Sequence, residues 1–282
     1  MTKTVRIILL LLLLATAAGG CAPQERAITA FVGSASKPPM EEAARAFEAR
    51  TGIRVYLNFS GSGIMLSQIE LSKSGDVYIP GSPDFMVKAE ERGVIDSLSV
   101  RTIAYLLPVI AVQKGNPENI QSLADLARPG IEIGIANPEA VCVGLYAVEI
   151  LAYNNLLDDV GKNIKVTTES CEKTATLISL KTVDAVIGWD VFQHWNPENI
   201  DVVYIKPEQI PRIAYIPGAI TRFARDREAA GEFLDFLVSL EGQAFFRKWG
   251  YLTTEAEARQ YAPDAEIGGE YKLPAGYRPL VK

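Results

Sequence analysis

A chain of 282 residues with 34 acidic and 28 basic side chains carries a formal charge of −6 at neutral pH. No basic run of the kind that tracks a phosphate backbone is present, which argues against nucleic acid as a partner. A single histidine and three cysteines exclude a metal centre built on histidines.

The first twenty residues carry Lys3 and Arg6, an apolar run from Val5 to Leu14, and then small residues up to Cys21. A basic start, a short apolar run and a small-residue end describe a secretory signal peptide. The apolar run is far shorter than the roughly 20 residues that a spanning helix needs. Leu14-Ala15-Thr16-Ala17-Ala18-Gly19-Gly20-Cys21 resembles the lipobox of bacterial lipoproteins, with Ala18 where a leucine is usual. That resemblance implies a signal over residues 1–20, acylation of Cys21 and a tether over 21–26, anchored in the cell envelope by lipid alone. A plain secretory signal with an incidental cysteine is the alternative. Removal of residues 1–20 takes away Lys3 and Arg6 and no acid, so the charge moves from −6 to −8. The remaining 262 residues suffice for two compact lobes. Any anion they hold is attracted by local dipoles against an unfavourable long-range field.

Further along, alternation and apolar runs predict strands over Ala27–Gly33, Ile53–Phe59, Asp76–Pro80, Ile131–Asn137, Ile164–Thr167, Asp184–Gly188 and Val202–Ile205. Helical patterns fill most gaps, as in Met40–Phe47, closed by Thr51-Gly52, and in the helix after the Ser82-Pro83-Asp84 start. Strand and helix alternate, which gives an α/β chain with parallel sheets covered on both faces. Thr102–Gln113 reads as one long strand crossing into a second lobe. Ile210–Ile220 reads as the return, followed by amphipathic helices over Asp226–Leu240 and Gln243–Trp249. The resulting division is lobe 1 over 27–107 and 217–282 and lobe 2 over 108–216, with strand C-terminal ends facing a cleft. The Pro-, Gly- and charge-rich tail from Glu255 either wraps the surface or stays partly disordered.

Two serine-glycine turns stand out. Gly33-Ser34-Ala35-Ser36 and Ser60-Gly61-Ser62-Gly63 each follow a predicted strand and open a predicted helix. A helix start offers free N–H groups and the positive end of the helix dipole, so it attracts anions without lysine or arginine. Serine at such a position is also an ordinary N-cap. Two turns on consecutive strand-helix units place both helix starts along one sheet edge, which favours binding.

These turns, with Ile28–Ser34 before Pro38, Val55–Gly63 before Gln68-Ile69, Gly75–Ile79 before Asp84-Phe85-Met86, Asn137–Ala147 and Lys248–Tyr251, resemble the periplasmic molybdate and tungstate-binding proteins of ABC importers. The resemblance runs from about Ala27 to Tyr251. It implies a type II, two-lobed solute-binding fold with two hinge crossovers, acting as a monomer with a permease and an ATPase as partners and needing no cofactor. Carried over, the ligand residues are Ser34, with Ser36 as near alternative, and Ser62. The second lobe contributes the backbone N–H of Val143 and of Cys171. Trp189 stands on or beside the family's tyrosine donor, and an indole N–H donates once with different reach.

A fully ionised tetrahedral dianion wants donors only, whereas phosphate keeps a proton and wants an acceptor. Asp190 is that acceptor if it faces the cleft, and otherwise caps the next turn in solvent. Glu139 either orders its loop, completes an expanded metal shell or is merely solvated. Cys142 and Cys171, placed beside the same pocket, are open to three readings: a disulfide, two unpaired thiols, or a thiolate pair for a soft metal. His194, within Trp189–Trp195, reads as packing with a share in a pocket wall. No Gly-x-Ser-x-Gly elbow and no Gly-Lys-Ser/Thr phosphate loop occur. The expectation is therefore a lipid-anchored, non-enzymatic receptor that captures molybdate or tungstate. Phosphate or sulfate binding, or a sensor lipoprotein that has lost transport, are the alternatives.

Overall fold

The computed structural model describes residues 26–274 and residue 277. The signal peptide and Cys21 lie outside those residues. Four strands come first: β1 (Ala27–Gly33), β2 (Arg54–Ser60), β3 (Val77–Ile79) and β4 (Arg101–Leu106). A second group follows, β5 (Pro108–Gln113), β6 (Ile133–Ala136), β7 (Ile164–Thr168), β8 (Ala185–Trp189) and β9 (Ile200–Tyr204), before β10 (Arg212–Ile220) and β11 (Glu266–Ile267). The first sheet runs β11-β10-β3-β1-β2, with β4 also on β10, and the second runs β7-β6-β8-β5-β9.

Each sheet is mostly parallel, as expected, with a minority of strands running the other way. β1, β2 and β3 are parallel, as are β6, β7 and β8. The strands that run the other way are β10, with β11 parallel to it, in the first sheet and β5 in the second, so the antiparallel pairings are β10 with β3 and β4 and β5 with β8 and β9. The parallel trios align their C-terminal ends, with Gly33 opposite Ser60 and Ala136 opposite Thr168. Helix starts follow these ends, so both sheets present N–H groups at the junction.

The segment Thr102–Gln113 is two strands, not one. β4 pairs with β10 in the first sheet and β5 with β8 and β9 in the second. Apolar pattern alone does not register a change of sheet. Leu107, between them, is held by Asp190, whose N–H donates to the Leu107 carbonyl at 3.0 Å and whose Oδ1 accepts from the Leu107 N–H at 3.3 Å. The return strand β10 starts at Arg212, two residues after the expected Ile210, and pairs along its length only with strands of the first sheet. The tail wraps the surface through the helix Glu255–Tyr261, whose Thr254 and Glu257 form a capping box, and through β11 on β10.

The helix Lys37–Thr51 presents Pro39, Met40, Ala43, Ala44 and Phe47 to the core. Phe47 packs edge-on against Phe233 at 5.2 Å and against Phe236 at 5.6 Å, both from the helix Arg227–Val238, so the return helices close over the first sheet. Truncation to Phe47→Ala is expected to cost about 3–5 kcal/mol of unfolding free energy in urea titrations. A loss below about 1 kcal/mol would contradict this packing.

Burial raises the Asp190 carboxyl to about 7, against backbone N–H donors from Leu107 and Val191 that pull it down. The native state then keeps a proton that the unfolded chain releases from about pH 4 upward. Stability contributed here is therefore lost as pH rises through that window, and levels off above about 7. Asp190→Asn keeps the acceptor and removes the titration. Its advantage over the parent in urea is expected to grow by up to about 1.4 kcal/mol per pH unit between pH 5 and 7, and a pH-independent difference would refute the assignment.

Candidate functional site

Ser34 opens a short 3-10 turn, Ser34–Ser36, directly after β1, and Ser62 opens the helix Ser62–Ser72 directly after β2. Both are buried. Ser62 is anchored from two sides: its hydroxyl accepts from the Gly81 N–H at 3.0 Å, and its carbonyl accepts from the Tyr78 hydroxyl at 2.9 Å. The Ser34 hydroxyl accepts from the Glu172 N–H across the lobes at 3.5 Å. Ser36 turns its hydroxyl back onto the Gly33 carbonyl at 3.3 Å, so it faces away from the second lobe's donors.

From the second lobe come the helices Cys142–Tyr153 and Cys171–Ser179. Val143 and Cys171 lie in their first turns. The helices beginning at Lys37, Ser62 and Cys142 have no side-chain cap, and in the fourth Ser170 caps only the Lys173 N–H. The helices beginning at Arg227, Leu240 and Glu255, away from the junction, are each capped by a side chain, from Asp226, Ser239 and Thr254. Helix starts that meet here therefore lean less on local caps, and two of their first-turn N–H groups, those of Gly63 and Glu172, find acceptors across the lobes instead.

The two lobes touch at this junction. The Gly63 N–H donates to the Ala140 carbonyl at 2.9 Å, and Lys37 pairs with Glu172 at 2.8 Å near the surface. A Cβ on Gly61 would stand 2.6 Å from the Glu169 carbonyl oxygen and 2.9 Å from that of Ala140. One on Gly81 would stand 2.5 Å from Cys142 Sγ. Glycine at both positions is what lets the lobes approach. A cavity of about 340 Å³ opens beside Ser34, lined on one side by Lys37 and Trp249 and on the other by Glu172 and Trp195.

Trp189, at the end of β8, is fully buried, and its indole N–H has no hydrogen-bond partner; the same holds for the hydroxyl of Tyr146, whose ring meets it edge-on at 5.2 Å. An unpartnered buried donor costs about 1–3 kcal/mol, so such groups need an explanation. Cys142 and Cys171 are both buried and both free thiols. Burial, with the neighbouring Cys142 thiol, pushes the Cys171 thiol well up; the Trp189 indole N–H and the Val143 N–H lie near enough to that sulfur to pull the other way, the indole without the geometry of a hydrogen bond. The Cys142 thiol lies 3.9 Å from the Ser62 hydroxyl. Cys142, Cys171, Trp189 and Ser62 thus form one cluster.

Other candidates fall outside it. Asp190 is buried and bonded to the Leu107 crossover, not solvated at a turn. Glu139 is exposed, with its N–H on Asn137, and no group of three or more possible metal ligands occurs among the described residues. His194 is exposed and lies against Gly250. Sequence reading passed over Tyr146, Tyr78 and Gly81. The last was signalled by its place after β3, on the same sheet edge as the two serine turns.

A family model described as bacterial extracellular solute-binding protein matches residues 28–252. The molybdate-binding protein ModA of Escherichia coli is 22% identical over 241 residues, covering 83% of this chain and 92% of that one. Among solved structures, the periplasmic molybdate-binding protein of Azotobacter vinelandii superposes with a TM-score of 0.71 at 18% identity, covering 81% of this chain and 100% of its own. The sulfate-binding protein SubI of Mycobacterium tuberculosis gives 0.72 at 16% identity, covering 86% and 94%. Both structures share the two-lobed fold. With uncapped helix starts from two sheets closing on one another, and a family match spanning both, the chain belongs to the bacterial extracellular solute-binding proteins.

Proposed function

We propose that this protein captures a tetrahedral oxyanion, molybdate or tungstate, between its lobes and delivers it to the permease and ATPase of an ABC importer. It works outside the cytoplasm, held to the membrane by lipid on Cys21. The observation that carries the reading is the buried indole N–H of Trp189, which makes no hydrogen bond, at the end of β8 in the second sheet and beside the thiols that open the Cys142 and Cys171 helices, with the Ser62 hydroxyl of the first sheet against Cys142. A desolvated dianion needs several fixed donors, and neutral hydroxyl, indole and backbone donors supply them without a counter-charge. The one buried carboxylate beside Trp189, Asp190, is engaged with Leu107, which favours a fully ionised oxyanion over protonated phosphate.

Hydrogen bonds to a charged ligand contribute roughly 1.5–3 kcal/mol each, so Ser34→Ala and Ser62→Ala are each expected to weaken molybdate or tungstate binding about ten- to a hundred-fold in calorimetry. Unchanged affinity in both variants would remove the serine socket. A panel that adds sulfate and phosphate decides the ligand, and tighter phosphate binding would overturn the choice made here. Gly61→Ala separates closure from folding. Gly61 has ordinary extended backbone, so unfolding free energy should stay within about 1 kcal/mol of the parent. Its added methyl collides only with the second lobe, and affinity should fall at least about ten-fold. Parent-like affinity in Gly61→Ala would mean that ligand is held without this closed contact.

A further inference from the structure

Behind the cleft, where β10 leaves the second crossover, Arg212 is 4% exposed and surrounded by charge. Its Nε and Nη2 donate to both carboxylate oxygens of Glu149 at 2.7–2.9 Å, and Nη2 also donates to Asp84 Oδ1 at 3.0 Å. Nη1 donates to the Gly268 carbonyl at 2.9 Å, and the guanidinium lies 4.5 Å from the centre of the Tyr146 ring. Asp84 is fully buried and takes further bonds from the Ser82 hydroxyl and the Tyr271 N–H, both at 2.8 Å.

The two carboxylates come from opposite lobes. Asp84 lies in the first turn of the helix Pro83–Glu91, packed against the first sheet, and Glu149 lies within Cys142–Tyr153, the helix whose start faces Ser62. We propose that Arg212 is a positioning residue for ligand capture: by bridging Asp84 and Glu149 it holds the second-lobe helix start against the first lobe and keeps the cleft closed. This rests on the solute-capture reading. Lobe opening about the crossovers separates Asp84 from Glu149, and Arg212, fixed on the hinge strand, can follow only one of them. The other is left a buried carboxylate without its partner, which opposes opening.

Small-angle scattering of ligand-free protein, with stopped-flow kinetics of tungstate binding, tests this. Ligand-free parent is expected to have a smaller radius of gyration than Glu149→Gln and Asp84→Asn, in which the weakened bridge lets the lobes open further. Tungstate release from Glu149→Gln should speed up ten-fold or more without association slowing, and Arg212→Lys should lie between parent and Arg212→Met. Equal radii of gyration for parent, Glu149→Gln and Asp84→Asn would overturn the proposal. Should Arg212→Met fail to fold, the two carboxylate variants decide, since each leaves Arg212 one anionic partner. Because scattering needs no ligand, a parent that binds no tungstate would sink the oxyanion reading and leave the bridge to be judged on its own.

Discussion

Backbone N–H groups in the first turn of a helix have no acceptor within that helix, and the layout of this protein follows from where those groups are sent. Parallel strands bring their C-terminal ends to one edge, and the helices that follow must start there. When two such edges face each other, donors from both converge with no carboxylate to neutralise them. Side-chain caps appear on the helices from Arg227 onward, where no ligand is to be met, and are missing or partial at the junction. Donors arranged in this way are what the proposed anion capture by an acidic chain would use: the attraction is short-range and made of dipoles, while net charge opposes it at a distance.

Closure supplies the second half of the energetics. Neither lobe alone offers enough donors to replace the hydration of a dianion, so affinity depends on the free energy of bringing the lobes together as well as on the bonds formed. Direct contacts at the mouth are modest, because Lys37 and Glu172 are partly exposed and such pairs contribute about 0–1 kcal/mol. Close approach rests instead on Gly61 and Gly81, which leave room for the carbonyls and thiol opposite. On the hinge side, a buried cation between two anions of different lobes penalises separation.

Much of the fold was legible in the residues. Period-two runs located β1 to its end residues and most other strands to within about two positions, because half-buried strands print their faces into the sequence. Thr102–Gln113 was misjudged as a single strand, since its unbroken apolar pattern says nothing about which sheet each half joins. The candidate site's local geometry was legible: Ser34 and Ser62 sit in glycine turns, and these open a 3-10 turn and a helix as read. Asp190 was ambiguous because burial, not residue type, decides between a solvated cap and a hinge tie. Arg212, Glu149 and Asp84 were not legible as a set. They are 63 to 128 residues apart, and nothing local marks them as one network.

The two thiols beside Trp189 give the second-lobe half of the cleft a soft, largely uncharged lining, unlike the hydroxyl-lined half opposite. Under the proposed function, that side is where selectivity among oxyanions would be set, with the serine turns supplying general affinity. The central claim is positional: the anion lies between the serine turns and the second-lobe helix starts. The most direct measurement is the anomalous scattering of tungsten in crystals grown with tungstate. The account expects one dominant peak within hydrogen-bonding reach of the Ser34 and Ser62 hydroxyls and the Trp189 indole N–H. A dominant peak elsewhere, such as in the outer cavity between Lys37 and Trp195, would contradict it.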